Sequence, residues 1–187
     1  MDHVLGITDD FYATCTYIWF GALKMERDVL SLIEILKDRA DCCVKSPSGQ
    51  PLLRAGEALP DDLRLFYEKC GGVVFDSRYG FEIVEPQEMV LSNPIIVGEL
   101  CDGDISSEWY IIGKDLEDNY ISIYLGQKRL GRCYDSFWDR HGVVGECAII
   151  ANSFTDLLWN LMYLQKDNMP YWLREEFDYI GDAYDEY

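Results

Sequence analysis

Seven short apolar runs occupy the stretch from Val73 to Ala151, each too brief for a helix: Val73–Phe75, Gly80–Glu85, Ile95–Val97, Trp109–Ile112, Tyr120–Leu125, Gly131–Tyr134 and Cys147–Ala151. Turn-forming sequences separate them: Asn93-Pro94, Asp102-Gly103, Glu117–Asn119 and Leu125-Gly126. No helix-period segment alternates with these runs, which disfavours a parallel βαβ enzyme fold and favours an antiparallel sheet. Helical spacing appears on either side. From about Tyr17 to Ala40 the apolar residues Ile18, Ala22, Met25, Val29, Leu32, Leu36 and Ala40 form one stripe of a long amphipathic helix. A second helix spans Leu59 to Cys70. Pro60 suits its first turn, Asp61 and Asp62 complement its dipole, and Gly71 is placed to end it in the left-handed conformation. Ser153, with Asp156 three residues on, opens a third through a capping box. Pro170–Ile180 reads as a further short helix, and Lys45–Gly56 as a loop. The expected class is α+β, a sheet covered by helices on one side. One domain spans 1–166, and residues 167–187 form an acidic, aromatic extension.

Charge narrows the function. Among 187 residues, 34 Asp and Glu face 16 Lys and Arg, a formal net charge of −18. Such a field repels phosphate backbones and anionic lipid, so nucleic acid and membrane surfaces are poor partners and a cationic protein is a better one. With 49% apolar residues, the acidity belongs to a folded chain. The seven cysteines lie mostly in apolar runs with no CxxC pair, and only His3 and His141 are histidines. Reduced thiols in the cytoplasm are therefore expected, without a zinc site. The amino terminus has no basic segment before an apolar one, so no signal peptide is expected.

Three segments carry a family resemblance. They are Leu59-Pro60-Asp61-Asp62-Leu63 through Phe66-Tyr67 to Gly71-Gly72; Ile111-Ile112-Gly113, an acidic turn, Tyr120–Leu125 and Gly131–Tyr134; and Ala151-Asn152-Ser153-Phe154 through Leu157-Leu158. In order and spacing they resemble the SMI1/KNR4 (SUKH) superfamily over roughly Leu30 to Lys166. The acidic turn Lys114–Asn119 departs from the Gly- and Asp-rich turn of the family. The resemblance implies a single α+β domain without recognised catalytic residues. It also implies one of two roles: a bacterial immunity protein that neutralises a toxin domain, often a nuclease, or a scaffold like the fungal regulators of cell-wall synthesis.

Catalytic chemistry has little to build on. His141 lies in Asp139-Arg140-His141-Gly142 and reads as a polar turn residue, although a dyad with Cys133 or Ser136, or a hydrolase using Asp135, is conceivable. No cofactor or metal is expected, since the Asp102–Asp104 and Asp115–Asn119 clusters lack calcium-loop spacing. Two acidic segments remain. Glu99–Asn119 holds seven acids against Lys114, and Asp167–Tyr187 holds seven against Arg174. The expected partner-binding residues are Glu99, Asp102, Asp104, Glu108, Asp115, Glu117, Asp118, Trp172 and Asp178. Neighbouring aromatics (Tyr110, Tyr171, Tyr179) could serve as anchors, while Trp109 and Phe177 go to the core. The expected assembly is a monomer or weak homodimer bound to a basic toxin.

Overall fold

The structure, a computed structural model, describes residues 28–75, 80–165 and 169–185. Seven strands among them form one antiparallel meander in chain order: β1 (Cys42–Lys45), β2 (Gly72–Phe75), β3 (Glu82–Ile83), β4 (Trp109–Lys114), β5 (Tyr120–Tyr124), β6 (Cys133–Ser136) and β7 (Ile149–Ala151). Three helices cover one face: α1 (Val29–Asp38), α2 (Asp61–Lys69) and α4 (Phe154–Tyr163). The short α3 (Ser92–Ile96) lies between β3 and β4. Register sorts the side chains. Ile121 and Ile123 pair with Asp135 and Cys133, and Val73 with Ile83, so these residues line the helix-covered face. There they meet Leu32, Leu36, Leu63, Phe66, Phe154 and Leu158 in the main core.

The helix starts follow local chemistry. The Asp28 carboxylate accepts the N–H groups of Leu30 and Ser31 and caps α1. Ser153 accepts from Asp156 N–H at 3.0 Å and donates its hydroxyl back to the Asp156 carboxylate. Asp62, in the first turn of α2, also accepts the N–H and hydroxyl of Thr155 at 2.8 and 2.9 Å. One carboxylate therefore serves the starts of two helices.

Several expectations change. The first helix is described from Val29; its expected beginning at Tyr17 lies outside the described residues. Ile95–Val97 is not a strand: Pro94 sits in the first turn of α3, where its missing N–H costs nothing. Lys45 belongs to edge strand β1, which forms because Phe75 to Gly72 offers it a partner. Pro170–Ile180 contains only one tight helical turn, Tyr171–Leu173. Gly71 does not take positive φ; Gly72 does, at 136°. A Cβ at Gly71 would run into the Ser46 carbonyl oxygen, so close approach of two backbone segments is what requires glycine there.

The opposite face of the sheet divides in two. Near β1–β4 it carries ions. Lys45 lies 3.4 Å from Glu82 and 3.0 Å from Glu85, and Lys114 lies 3.2 Å from Glu82 and 3.1 Å from Glu88. Near β4–β7 it is apolar, and Trp109 stacks on Tyr134 at 4.1 Å with Tyr124, Cys147, Ile149 and Ala183 around them. The segment Gly181–Ala183 pairs with the free edge of β7 through Ile149 N–H to Gly181 O and Ala183 N–H to Cys147 O, both 2.9 Å. Among the described residues no helix is long and apolar enough to cross a membrane.

Candidate protein-binding surface

Strand β4 separates the acids of the 99–119 segment. Glu108 precedes its first residue and Asp115 follows its last. Six extended residues at about 3.3 Å each put roughly 20 Å between the two groups. Glu99, Asp102, Asp104 and Glu108 gather at one end; Asp115, Glu117 and Asp118 sit at the other. Asp115 is engaged in its own turn, accepting from the Glu117 and Asn119 N–H groups and from the Asn119 amide at 2.8 to 2.9 Å. Glu117, Asp118 and Asp178 are exposed. Trp172 is not a surface anchor. It is 6% exposed and its indole N–H donates to the Asp135 carboxylate at 2.8 Å. Tyr110 and Tyr171 are buried as well, whereas Tyr179 remains exposed.

At the first end, Asp104 caps the tight turn Ile105–Glu108, accepting the Ser106 N–H at 2.8 Å and its hydroxyl at 2.6 Å. Glu108 accepts the Tyr124 hydroxyl at 2.8 Å, and burial together with that carboxylate pushes the phenol up to about 12. A cleft of about 680 Å³ opens here, with Asp104, Ser107 and Glu108 among its lining residues, the cations Lys128 and Arg129 opposite them and the neutral Gln127 beside those. Charge within the cleft is therefore mixed. The unopposed acids are Glu99 and Asp102, both exposed outside it.

Asn93, buried at the start of α3, joins this acidic loop to the β6–β7 loop, residues 137–147. Its amide NH₂ donates to Leu100 O at 3.1 Å and to the Ser106 hydroxyl at 3.0 Å, and its Oδ1 lies 2.6 Å from His141 Nε2. Because Leu100 O can only accept, the amide orientation is fixed, Nε2 carries the imidazole proton and Nδ1 is bare. A second staple is Tyr184, whose hydroxyl lies 3.1 Å from the Asp104 carboxylate and from Gly142 O. Under the loop, Asp135 and Arg140 form a salt bridge at 3.2 Å, and the guanidinium lies 4.5 Å over the Phe137 ring. Sequence reasoning missed Trp138 in this loop; it is 75% exposed, with Val143 and Val144 also exposed. Only its place among the polar residues of a turn pointed to the surface.

Burial sets the chemistry of the remaining candidates. It drives the His141 imidazole down to about 4, with Asp104 pulling weakly the other way, and pushes the Cys147 thiol up to about 12. Cys133 is raised by burial too. These directions oppose those of an activated thiol and its base. The only side-chain hydrogen bond of His141 among the described residues is to Asn93, not to Cys133, Asp135 or Ser136. No group of three or more His, Cys, Asp or Glu residues among the described ones is arranged to hold a metal ion.

A sequence profile of the SMI1/KNR4 family (SUKH-1) matches residues 54–160. That span runs from the loop before α2 into α4 and includes both acidic turns. A Bacillus subtilis (strain 168) protein named immunity protein YokJ is 48% identical over 156 residues, 82% of this chain and 94% of its own length. No solved structure matches. With a seven-stranded antiparallel sheet under three helices and a relative of this closeness along most of its length, the chain belongs to the SMI1/KNR4 family.

Proposed function

We propose that this chain is an immunity protein: a cytoplasmic, non-catalytic inhibitor that binds one cognate toxin domain stoichiometrically and protects the cell that makes it. The observation that carries the reading is the similarity to immunity protein YokJ across 82% of the chain. The charge of −18 supports a basic partner, such as a nuclease whose groove must attract phosphate. Inhibition then works by steric occlusion, with carboxylates taking the place of the anionic substrate. Glu99, Asp102, Asp104 and Glu108 are the first contact surface, since they share one end of the sheet on pinned loops; Asp115, Glu117, Asp118 and Asp178 add long-range attraction. Between contacts the chain is a monomer or weak homodimer.

Such a gene belongs directly downstream of its toxin gene. Producing the carboxy-terminal toxin domain from that neighbouring gene in a naive bacterial host, with and without this chain, tests the reading. Growth is expected only with the chain present. Killing in both cases, or no harm in either, defeats it. Reversing Glu99 and Asp102 to Lys should weaken toxin binding by roughly tenfold at low salt and by less at high salt. Unchanged affinity would place the interface elsewhere.

A further inference from the structure

The β6–β7 loop is held firmly from beneath and bare on top. Four backbone hydrogen bonds order it: Arg140 and His141 N–H to Phe137 O, Val143 N–H to Arg140 O and Glu146 N–H to Val143 O, at 2.8 to 3.1 Å. Asp135, Asn93 and Tyr184 pin it to the body of the protein through Arg140, His141 and Gly142. None of these contacts uses the side chains of its three apolar residues. Trp138 is 75% exposed and Val144 72%, with Val143 at 41%. An indole in water contributes little to folding, and a loop this constrained has lost in advance the entropy that binding would otherwise cost.

Its surroundings define the partner. Through Asn93 and Tyr184 the loop keeps a fixed position beside the acids of residues 99–108. A second copy of this chain brings another −18 charge to that face and is repelled. A protein with an apolar pocket rimmed by Lys or Arg is complementary in both respects. We propose that residues 137–147 form the anchor of the toxin contact, with Trp138, flanked by Val143 and Val144, filling an apolar pocket on the toxin whose basic rim meets Glu99 and Asp102. This rests on the immunity reading.

Titration calorimetry tests it, using the full chain and the inactivated toxin domain of the neighbouring gene. W138A should weaken binding by roughly 30-fold or more while leaving the slope of log Kd against log salt unchanged, because no charge is lost. V144A should cost a few-fold. The melting temperature of W138A should match the wild type, since the side chain packs on little. I95S, in the separate apolar groove lined by Leu52, Val90 and Ile95, should bind like the wild type. If the wild type binds and W138A binds equally well, the anchor is wrong while the immunity reading stands. Loss with I95S and not W138A moves the anchor to that groove and overturns the inference. So does a concentration-dependent dimer that W138A abolishes without affecting the toxin. If the wild type binds no toxin, the immunity reading has failed, and this inference with it.

Discussion

His141 is the residue that most invites a catalytic role, and its surroundings give it another. Nε2 is spent on Asn93, and burial keeps the ring neutral. The folded state holds it unprotonated down to about pH 4, whereas the unfolded chain protonates it near 6.5. Stability tied to this group is therefore complete above pH 6.5 and lost as pH falls toward 4, by an amount of order 3 kcal/mol. Urea unfolding of the wild type and of His141→Gln at pH 7 and pH 5 checks this: the wild type should lose more stability on acidification than the variant. Equal losses would mean that the ring is not buried as described. The raised pKa of Asp135 acts in the opposite direction and is common to both proteins, so it cancels in the comparison. At Gly71 the constraint is steric. Gly71→Ala should cost about 2 kcal/mol, read as a lower urea midpoint, because the Ser46 carbonyl must move. Trp138 and Trp172 show where residue-level reading ends. Both stand beside aromatic and charged neighbours, yet one is in solvent and the other bonds Asp135 in the core. The difference is made by the packing of Trp172 against Phe81 and Phe137, contacts distant in sequence.

Elements whose signals are local were legible before their packing was known. Asp61 and Asp62 opening α2, the Ser153–Asp156 cap, and the Ile121–Ile123 alternation of β5 each state their geometry within a few residues. Strand β1 does not, because Cys42–Lys45 becomes a strand only by pairing with β2. Helix α3 was hidden by its β-branched Ile95 and Ile96, and its Pro94 read as a turn rather than a first helical turn. The candidate surface was half legible: composition located the acids, but the run of β4 splits them between two ends of the sheet. The segment Gly181–Ala183 behaves as an element of the sheet, since it covers the edge of β7. Ending the chain at Ile180 should lower the melting temperature by several degrees and raise amide exchange in residues 147–151 and 137–146, as read by mass spectrometry. Unchanged protection there would show that the contact is dispensable.

Across the whole molecule, a rigid sheet presents two loops fixed to each other through Asn93 and Tyr184, inside a strongly negative field. On the proposed reading, the field draws a cationic partner from a distance and the loops meet it already ordered, so fast, salt-sensitive association and contact-limited dissociation are expected. The proposed role needs no turnover, only that the toxin's working groove be covered. The most direct measurement is to titrate the active toxin domain with the purified chain and follow toxin activity and complex mass together at low and high salt. The account predicts that activity falls linearly to zero at one chain per toxin, in a one-to-one complex of nanomolar affinity that weakens as salt rises. A complex in which the toxin stays active, inhibition at far below one equivalent, or affinity indifferent to salt would contradict it.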